Sequence, residues 1–321
     1  MKKLNLLAIT GIVLGLGLIF APMSATAESL SCRSVKLIIP WGAGGDTDII
    51  FRTVANAAQK ELGKDIAVVN IGGQGGNKGA KEAAGSKPNG CTVFAGHDSM
   101  QTSYLSGRVD FNYFGMEPVA LLTHTPSIVA ANANVPYNNM NDVIAAAKKK
   151  PETILYGATL GSTSHFFPLM IQNKAGVKFK YVPYDGTRER MTALLSNNIE
   201  LGELNIISAQ KYIKEGTLKA LGIATPKRDP RLPDLPTLKE QGIDLIYGVN
   251  RGIFLPKGVS KGVMKIYEDA FRKTMQKPDV VKAIEGKGTL IQFLAREDYI
   301  KFLKDDVEAT TQIAKAVGIT K

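Results

Sequence analysis

Apolar positions along the chain follow two different periods, and their alternation predicts the order of the elements. The runs VKLIIP (35–40), DIAVVNI (65–71) and CTVFAG (91–96) are short and rich in β-branched residues, which predicts strands. After the first run, apolar residues recur every three or four positions, which predicts a helix with one buried face. That face consists of Ile50, Phe51, Val54, Ala58 and Leu62. With a short helix ending at Ala84, these segments predict a βαβαβ unit.

A second α/β series follows a long extended run at 117–135. Its predicted elements are a helix capped by Asn141, the strand ILYGA, a helix from about Ser164, the strand YVPY, the helix TRERMTALLSNN, and the strands ELGELNI and LKALGIAT. Another extended run at 244–256 leads into helices at about 260–285 and 297–316. Two extended segments that bracket an α/β unit predict a chain that crosses into a second domain and returns, with a ligand cleft between the domains.

Residues 1–27 are typical of a secretory signal peptide. Lys2 and Lys3 precede a long apolar run, and Ala25-Thr26-Ala27 is a small-x-small cleavage site, so we expect cleavage after Ala27 and export of a soluble protein. A retained membrane anchor and a lipid anchor on Cys32 are the alternatives, but the latter requires an aliphatic residue where Ser29 stands. Cleavage would lower the formal charge from +11 to +9 and leave about 290 residues, which favours two domains.

The remaining composition excludes several classes of function. The lysines are scattered and do not interleave with aromatic residues, so we expect no nucleic-acid partner. The three histidines, His97, His124 and His165, lie far apart without a ligand spacing, which predicts neither a metal site nor a cofactor.

The two cysteines are expected to pair. Export into an oxidising compartment favours a bond between Cys32 and Cys91. In a doubly wound sheet the first and third strands are neighbours and start at the same edge, so the two residues come within reach of one another. Two free thiols are the alternative.

Two glycine-rich segments predict the binding chemistry. PWGAGGDTD (40–48) joins the first strand to its helix, and GATLGSTSHF (157–166) repeats the arrangement. Glycine lets the backbone approach a ligand closely, and a helix N-terminus offers unpaired N–H groups with partial positive charge. Both loops therefore suit an anion. The glycines at 72–79 lack a G-K-[ST] ending, so we interpret them as a packed turn.

These segments, with VVNIGGQGGNKGAKEAA, KPNGCTVF, YVPYDG and RGIFLPKGVSK, follow one another in an order that resembles the Bug-type periplasmic receptors of tripartite tricarboxylate transporters. The resemblance implies a type II periplasmic-binding-protein fold, an α/β fold of two doubly wound domains joined by a two-strand hinge. It places domain 1 at 28–125 and 251–321 and domain 2 at 126–250. It further implies a monomeric, non-enzymatic periplasmic receptor that closes on a small carboxylate and delivers it to membrane permease subunits.

Candidate ligand contacts come from the resemblance and from position in the chain. Those in the two loops and the VPY-x-G pattern are Gly44, Gly45, Asp48, Gly161, Ser162, Thr163, Ser164, His165 and Tyr184. Asp48 is expected to cap the helix or orient a water, and Asp46 to be solvent-exposed. Trp41 either walls the cleft or fills the strand end, and Ser99 follows the third strand. Arg188 and Arg251 are either carboxylate clamps or solvated side chains.

Two other functions remain open at this point. Ser162, Ser164 and His165 share one loop, as a secreted hydrolase would need, but no G-x-S-x-G motif is present. A sensing receptor with a membrane signalling partner needs the same closure as a transport receptor. The ligand could be a dicarboxylate, a tricarboxylate, an amino acid or an aromatic acid.

Overall fold

The computed structural model describes residues 28–319, and the expected signal peptide lies outside them. The strands are β1 Ser34–Ile39, β2 Asp65–Asn70, β3 Thr92–His97, β4 Glu117–Asn132, β5 Leu155–Ala158, β6 Lys180–Pro183, β7 Leu201–Asn205, β8 Leu218–Ile223, β9 Gly248–Leu255 and β10 Leu290–Leu294. The α-helices are α1 Asp46–Leu62, α2 Asn77–Ala84, α3 Ser99–Leu105, α4 Met140–Lys149, α5 Thr163–Ala175, α6 Thr187–Leu195, α7 Ile206–Lys214, α8 Lys261–Met275, α9 Pro278–Glu285 and α10 Arg296–Ala316.

Strands occur in the order β2-β1-β3-β9-β4-β7-β5-β6, and β8 and β10 both pair with β4. Strand β1 is parallel to β2 and β3, and β5 is parallel to β6 and β7. The first half therefore contains β1, β2 and β3, and the middle half contains β5, β6 and β7. In each half the strand that comes first in the chain lies in the centre of three parallel strands, and an antiparallel strand follows at one edge. This is the expected fold of two doubly wound α/β domains.

Strands β4 and β9 run between the two halves. Strand β4 pairs with β9 and β10 through its first part and with β7 and β8 through its last part. Strand β9 pairs with β3 at its C-terminal end, where His97 lies opposite Arg251. These two long strands are the hinge pair that the extended runs predict.

Each half has its own apolar cores on the faces of its sheet. The predicted face of α1 is buried, with Ile50, Phe51 and Val54 in one cluster with Tyr267 and Phe271 of α8. Burying a side chain of this size contributes about 1.5–3 kcal/mol. In the middle half, one cluster is built from side chains of β4, β5, α5 and the segment between α5 and β6. Among residues 28–319 no helix is both long and apolar enough to cross a bilayer.

The predicted disulfide is confirmed. Cys32 and Cys91 are bonded, with Cα atoms 5.7 Å apart. Cys91 immediately precedes β3, and its carbonyl accepts a hydrogen bond from the amide of Lys36 in β1. The bond therefore ties the starting ends of two neighbouring parallel strands.

Several local predictions differ from the structure. Asn139, rather than Asn141, caps α4, because its side chain accepts from the amide of Asp142. The second extended run forms a strand only from Gly248 onward. Helices α3 and α7 and strand β10 were not predicted, because each is short and directly follows or precedes an element with a stronger apolar pattern.

Candidate functional site

Three helix N-termini meet at a cavity of about 40 Å³ between the two halves. They begin α1 at Asp46, α5 at Thr163 and α6 at Thr187, and all three of these residues line the cavity. The cavity lies beyond the carboxyl ends of the parallel strands, where open α/β sheets bind ligands. Because it has room for only a few water molecules, the cleft is closed in this arrangement.

The first glycine-rich loop (40–48, the first loop) is held in place by Asp48 of α1. Gly44 has a φ of +83°, and its amide donates to Oδ2 of Asp48 at 2.9 Å. Arg52 and Asn70 also donate to this carboxylate. Burial raises the pKa of Asp48, but these hydrogen bonds outweigh it and hold the pKa below its ordinary value. Asp48 therefore shapes the loop, and it lies behind the cavity rather than in its wall.

In the second glycine-rich loop (157–166, the middle loop), uncharged side chains take the place of Asp48 as acceptors of the loop amides. Gly161 has a φ of +78°, and its amide donates to Nδ1 of His165 at 3.3 Å. Ser164 Oγ accepts from the amide of Thr159 and lies 3.1 Å from Ser162 Oγ. Burial, together with the charge of Arg108, lowers the pKa of His165 to about 4, so its ring is neutral near pH 7.

The first backbone amides of these three helices are hydrogen-bond donors available at the cavity. The amides of Ile49, Phe166 and Arg190 donate to the carbonyls of Gly45, Ser162 and Gly186, respectively. The two or three amides ahead of each of these have no acceptor within the helix. Each helix end adds a partial positive charge worth about 0.3–1 kcal/mol to a bound anion, and up to ~2 kcal/mol when partly buried.

Arg251 is a buried cation in the cavity wall and joins both halves. Its Nε donates to Thr47 Oγ1 at 3.1 Å, and its Nη2 donates to Asn205 Oδ1 at 3.2 Å. Its Nη1 donates to Thr125 Oγ1 at 2.8 Å. Burial lowers the pKa of Arg251, while the charges of Asp46, Glu203 and Asp98 act in the opposite direction.

A second buried arginine is fully engaged in an ion pair. Arg190 Nη2 lies 3.0 Å from Glu203 Oε2, and both side chains are almost inaccessible to solvent. Its other donors reach the carbonyls of Glu203 and Gly186 and the hydroxyl of Thr159. Burial raises the pKa of Glu203, and Arg190 opposes that effect. Arg190 therefore fixes the middle loop and the start of α6 against β7.

Asp46 is buried, with 4% of its surface exposed, which contradicts the expectation that it faces solvent. The reason is a contact from the other half: Thr187 Oγ1 donates to Asp46 Oδ2 at 3.0 Å. Within the described part of the chain, Asp46 Oδ1 and Trp41 Nε1 are buried without a hydrogen-bond partner. Trp41 walls the cavity and stacks on His97 with ring centroids 5.1 Å apart.

The structure brings half of the candidate ligand contacts together at the cavity. Those in its wall are Trp41, Gly45, Ser162, Thr163, Ser164 and Arg188. Those outside the wall are Gly44, Asp48, Ser99, Gly161, His165 and Tyr184. Ser99 donates its amide to His97 Nδ1, and Tyr184 lies beside a separate surface pocket with Arg108.

Sequence reasoning missed most of the side chains that the middle half contributes. The unpredicted wall residues of the middle half include Thr159, Thr187, Glu189, Arg190, Glu203 and Asn205, and the other half adds Thr47. Glu203 and Asn205 lie in β7, and their polar pattern inside an apolar strand was the available signal, since buried polar residues need partners. Arg251, expected as either a clamp or a solvated side chain, is buried in the wall.

Ser162, Ser164 and His165 of the middle loop do not form a nucleophile and base pair. His165 Nδ1 accepts from the Gly161 amide, and the ring packs edge-on against Tyr181 at 4.8 Å. Within residues 28–319, no side-chain hydrogen bond joins Ser162 or Ser164 to the ring of His165. The amide of His165 donates to the carbonyl of Ser162, which is a backbone contact at the helix start. That part of the chain also has no cluster of His, Cys, Asp or Glu residues that could hold a metal ion.

Comparison with solved structures places this architecture among periplasmic solute-binding proteins. The chain superposes on the periplasmic binding protein BugD with a TM-score of 0.85 and 27% identity, covering 90% of this chain and 99% of BugD. It also superposes on MatC from Rhodopseudomonas palustris, determined with bound malate, with a TM-score of 0.83 and 24% identity, covering 89% and 99% of the two chains.

Residues 50–319 match the protein family described as the tripartite tricarboxylate transporter family receptor, and the chain belongs to that family. A relative from Cupriavidus necator, the UPF0065 protein in the gbd 5′ region, is 29% identical over 331 residues, covering 100% of this chain and 99% of the relative. The chain is therefore a solute-binding receptor of this transporter family, as its motifs predict.

Proposed function

We propose that the protein captures a small organic carboxylate in the cleft between its two halves and delivers it to the membrane permease of a tripartite tricarboxylate-type transporter. The observation that carries this proposal is the convergence of three helix N-termini on a cavity walled by the buried Arg251. Backbone N–H groups and the guanidinium of Arg251 can only donate hydrogen bonds, so they favour an anion.

The proposed contacts follow from the cavity wall. We assign the amides at the starts of α1, α5 and α6 to the ligand carboxylate, with Ser162, Thr163 and Ser164 beside them. Of the five N–H groups of Arg251, four donate to Thr47, Thr125, Val249 and Asn205. One remains for the ligand. Gly44, Asp48, Gly161 and His165 contribute by holding the loops rather than by contact.

Ligand entry requires the cleft to open about the hinge strands. The two sides touch directly, since Arg188 Nη1 donates to the carbonyl of Ala43 and Gly75 donates to Asp185. We infer that residues 28–125 and 251–321 move as one domain and 126–250 as the other, because β4 and β9 carry the chain between the two halves near these boundaries. A ligand then favours the closed state by its higher affinity for it.

The remaining features of the proposal concern where and how the protein works. We propose a periplasmic monomer released by cleavage after Ala27, because the apolar run and the small-x-small motif are those of a signal peptide. We further propose that it catalyses no reaction. The engaged ring of His165 and the mutual contact of Ser162 and Ser164 support binding alone.

Calorimetric titration of residues 28–321 with a panel of carboxylic acids and their neutral primary amides tests the proposal. We expect micromolar binding of at least one acid, which requires about 8 kcal/mol, and no comparable binding of its amide. Arg251→Gln should weaken that binding about tenfold or more, whereas Arg228→Gln, at an exposed ion pair, should not. Equal affinity for acids and amides would contradict the proposal.

A further inference from the structure

Asp46 places a negative charge in the wall of a cleft that otherwise favours anions. Its carboxylate lines the cavity at the first position of α1, and it is 4% exposed. Oδ2 is satisfied by the hydroxyl of Thr187 at 3.0 Å. Oδ1 is buried and receives no hydrogen bond from any described residue. A buried carboxylate oxygen without a donor is costly, so the closed cleft is completed by a donor from outside the chain.

The charges around the cavity indicate the sign of that donor. Four ionic side chains in the wall are buried: Asp46 and Glu203 are acidic, and Arg190 and Arg251 are basic. Arg190 is engaged by Glu203, and Arg251 is near both acids. The buried charges therefore balance. A net anionic ligand would leave the closed cleft with excess negative charge, whereas a zwitterion would leave the balance unchanged.

We propose that Asp46 binds an ammonium group of the ligand, so that the receptor selects amino acids over unsubstituted carboxylates. This inference rests on the proposed function, since it adds a second group to the carboxylate that the helix N-termini bind. The two groups of an α-amino acid are separated by a single carbon atom. The carboxylate of Asp46 is next to the N-terminus of α6, because Thr187, the first residue of that helix, donates its hydroxyl to Asp46 at 3.0 Å.

Matched pairs of ligands test the inference on the unaltered protein. Calorimetric titration of residues 28–321 would compare aspartate with succinate, glutamate with glutarate, alanine with propionate and phenylalanine with 3-phenylpropionate. We expect the amino member of the best-bound pair to bind about tenfold or more tightly, as one charge-assisted hydrogen bond provides. A des-amino acid that binds as well as its amino partner would overturn the inference while leaving carboxylate capture intact. Failure of every acid to bind would instead contradict the proposed function.

Variants at Asp46 locate the effect. In Asp46→Asn the preference within the best pair should fall to about threefold or less, because the amino acid loses affinity and the des-amino acid does not. Asp46→Thr gives α1 the same first residue as α5, which begins at Thr163, and should lower the preference in the same way. Asp234→Asn removes an equal charge from an exposed loop and should leave the preference unchanged. Circular dichroism would confirm that each variant is folded, and an undiminished preference in folded Asp46→Asn would overturn the inference.

Discussion

The first loop and the middle loop have the same backbone design but carry different side chains. In each, a glycine with positive φ lies four residues before the side chain that accepts its amide: Gly44 before Asp48, and Gly161 before His165. In each, the next residue is the extended N-cap of a helix, Gly45 or Ser162. The cleft therefore contains two copies of one loop and helix-start conformation, and the copies differ only in their side chains.

The side chains differ in charge and in anchoring. The first loop carries Asp46 and Asp48, whereas the corresponding residues of the middle loop, Thr163 and His165, are uncharged near pH 7. Anchoring differs as well. Asp48 pairs with the half-exposed Arg52, while the middle loop is held by a fully buried arginine. The two loops therefore present the same backbone amides, and only the first adds a carboxylate, that of Asp46, to the cavity wall.

The largest difference in stability is expected between variants that remove the two arginine anchors, Arg190 and Arg52. Arg190→Met leaves Glu203 buried without its partner and should destabilise the protein by about 3–5 kcal/mol. Arg52→Met removes a side chain that is 46% exposed, while the buried Asp48 keeps its hydrogen bonds from Gly44 and Asn70, so the cost should be smaller, about 1–2 kcal/mol. Urea unfolding of both variants measures the difference, and similar losses would show that the middle loop is not anchored by Arg190.

The next largest difference is expected from alanine at the two glycines with positive φ, Gly44 and Gly161, because it should destabilise the protein to different extents in the two loops. Gly44→Ala meets no atom within 4 Å, so only the left-handed backbone opposes it, at about 1–2 kcal/mol. At Gly161 the new Cβ would also lie 2.5 Å from Arg108 Cδ, and this overpacking raises the expected cost to about 2–4 kcal/mol. The midpoint of thermal unfolding should be lower for Gly161→Ala than for Gly44→Ala, and the reverse order would contradict this account.

Acid should weaken the middle loop before the first. The folded-state pKa of His165, about 4, lies below its ordinary value of 6.5, so the unfolded state takes up the proton first as pH falls. Stability is lost between these values, by about 2 kcal/mol from pH 7 to pH 5. The lowered pKa of Asp48 acts only below its ordinary 3.8.

The measurement is the difference in unfolding free energy between wild type and His165→Gln across this range. His97 and His124, whose pKa values burial also lowers, contribute equally to both proteins. Parallel curves for the two proteins would rule out His165 as the cause.

The smallest effect is expected at the N-cap of the middle loop. Ser162→Gly recreates the residue of the first loop, Gly45, and the Ser162 side chain makes no capping hydrogen bond. Loss of the contact with Ser164 Oγ should cost about 0.5–1 kcal/mol, with ligand affinity changed by less than about threefold. A tenfold loss of affinity in titration calorimetry would show that the hydroxyl binds the ligand directly.

Sequence patterns predicted the repeated backbone but not the contacts between its copies. The apolar face of α1 and the glycines of both loops are local signals, so strands and helix starts followed from them. Asp46 was expected in solvent because nothing near it in sequence indicates that Thr187 approaches from the other half. Arg190 and Glu203 pair across thirteen positions, and burial of such a pair depends on tertiary packing.

The disulfide at the base of the first domain makes the protein well suited to site-specific labelling. The chain has only two cysteines, and both are joined in the bond between Cys32 and Cys91. A cysteine introduced on an exposed side chain of each half, such as Lys78 and Lys211, would therefore react with a spin label or fluorophore without background. Provided that no reductant opens the native bond, the distance between two such labels would report opening and closing of the cleft in solution.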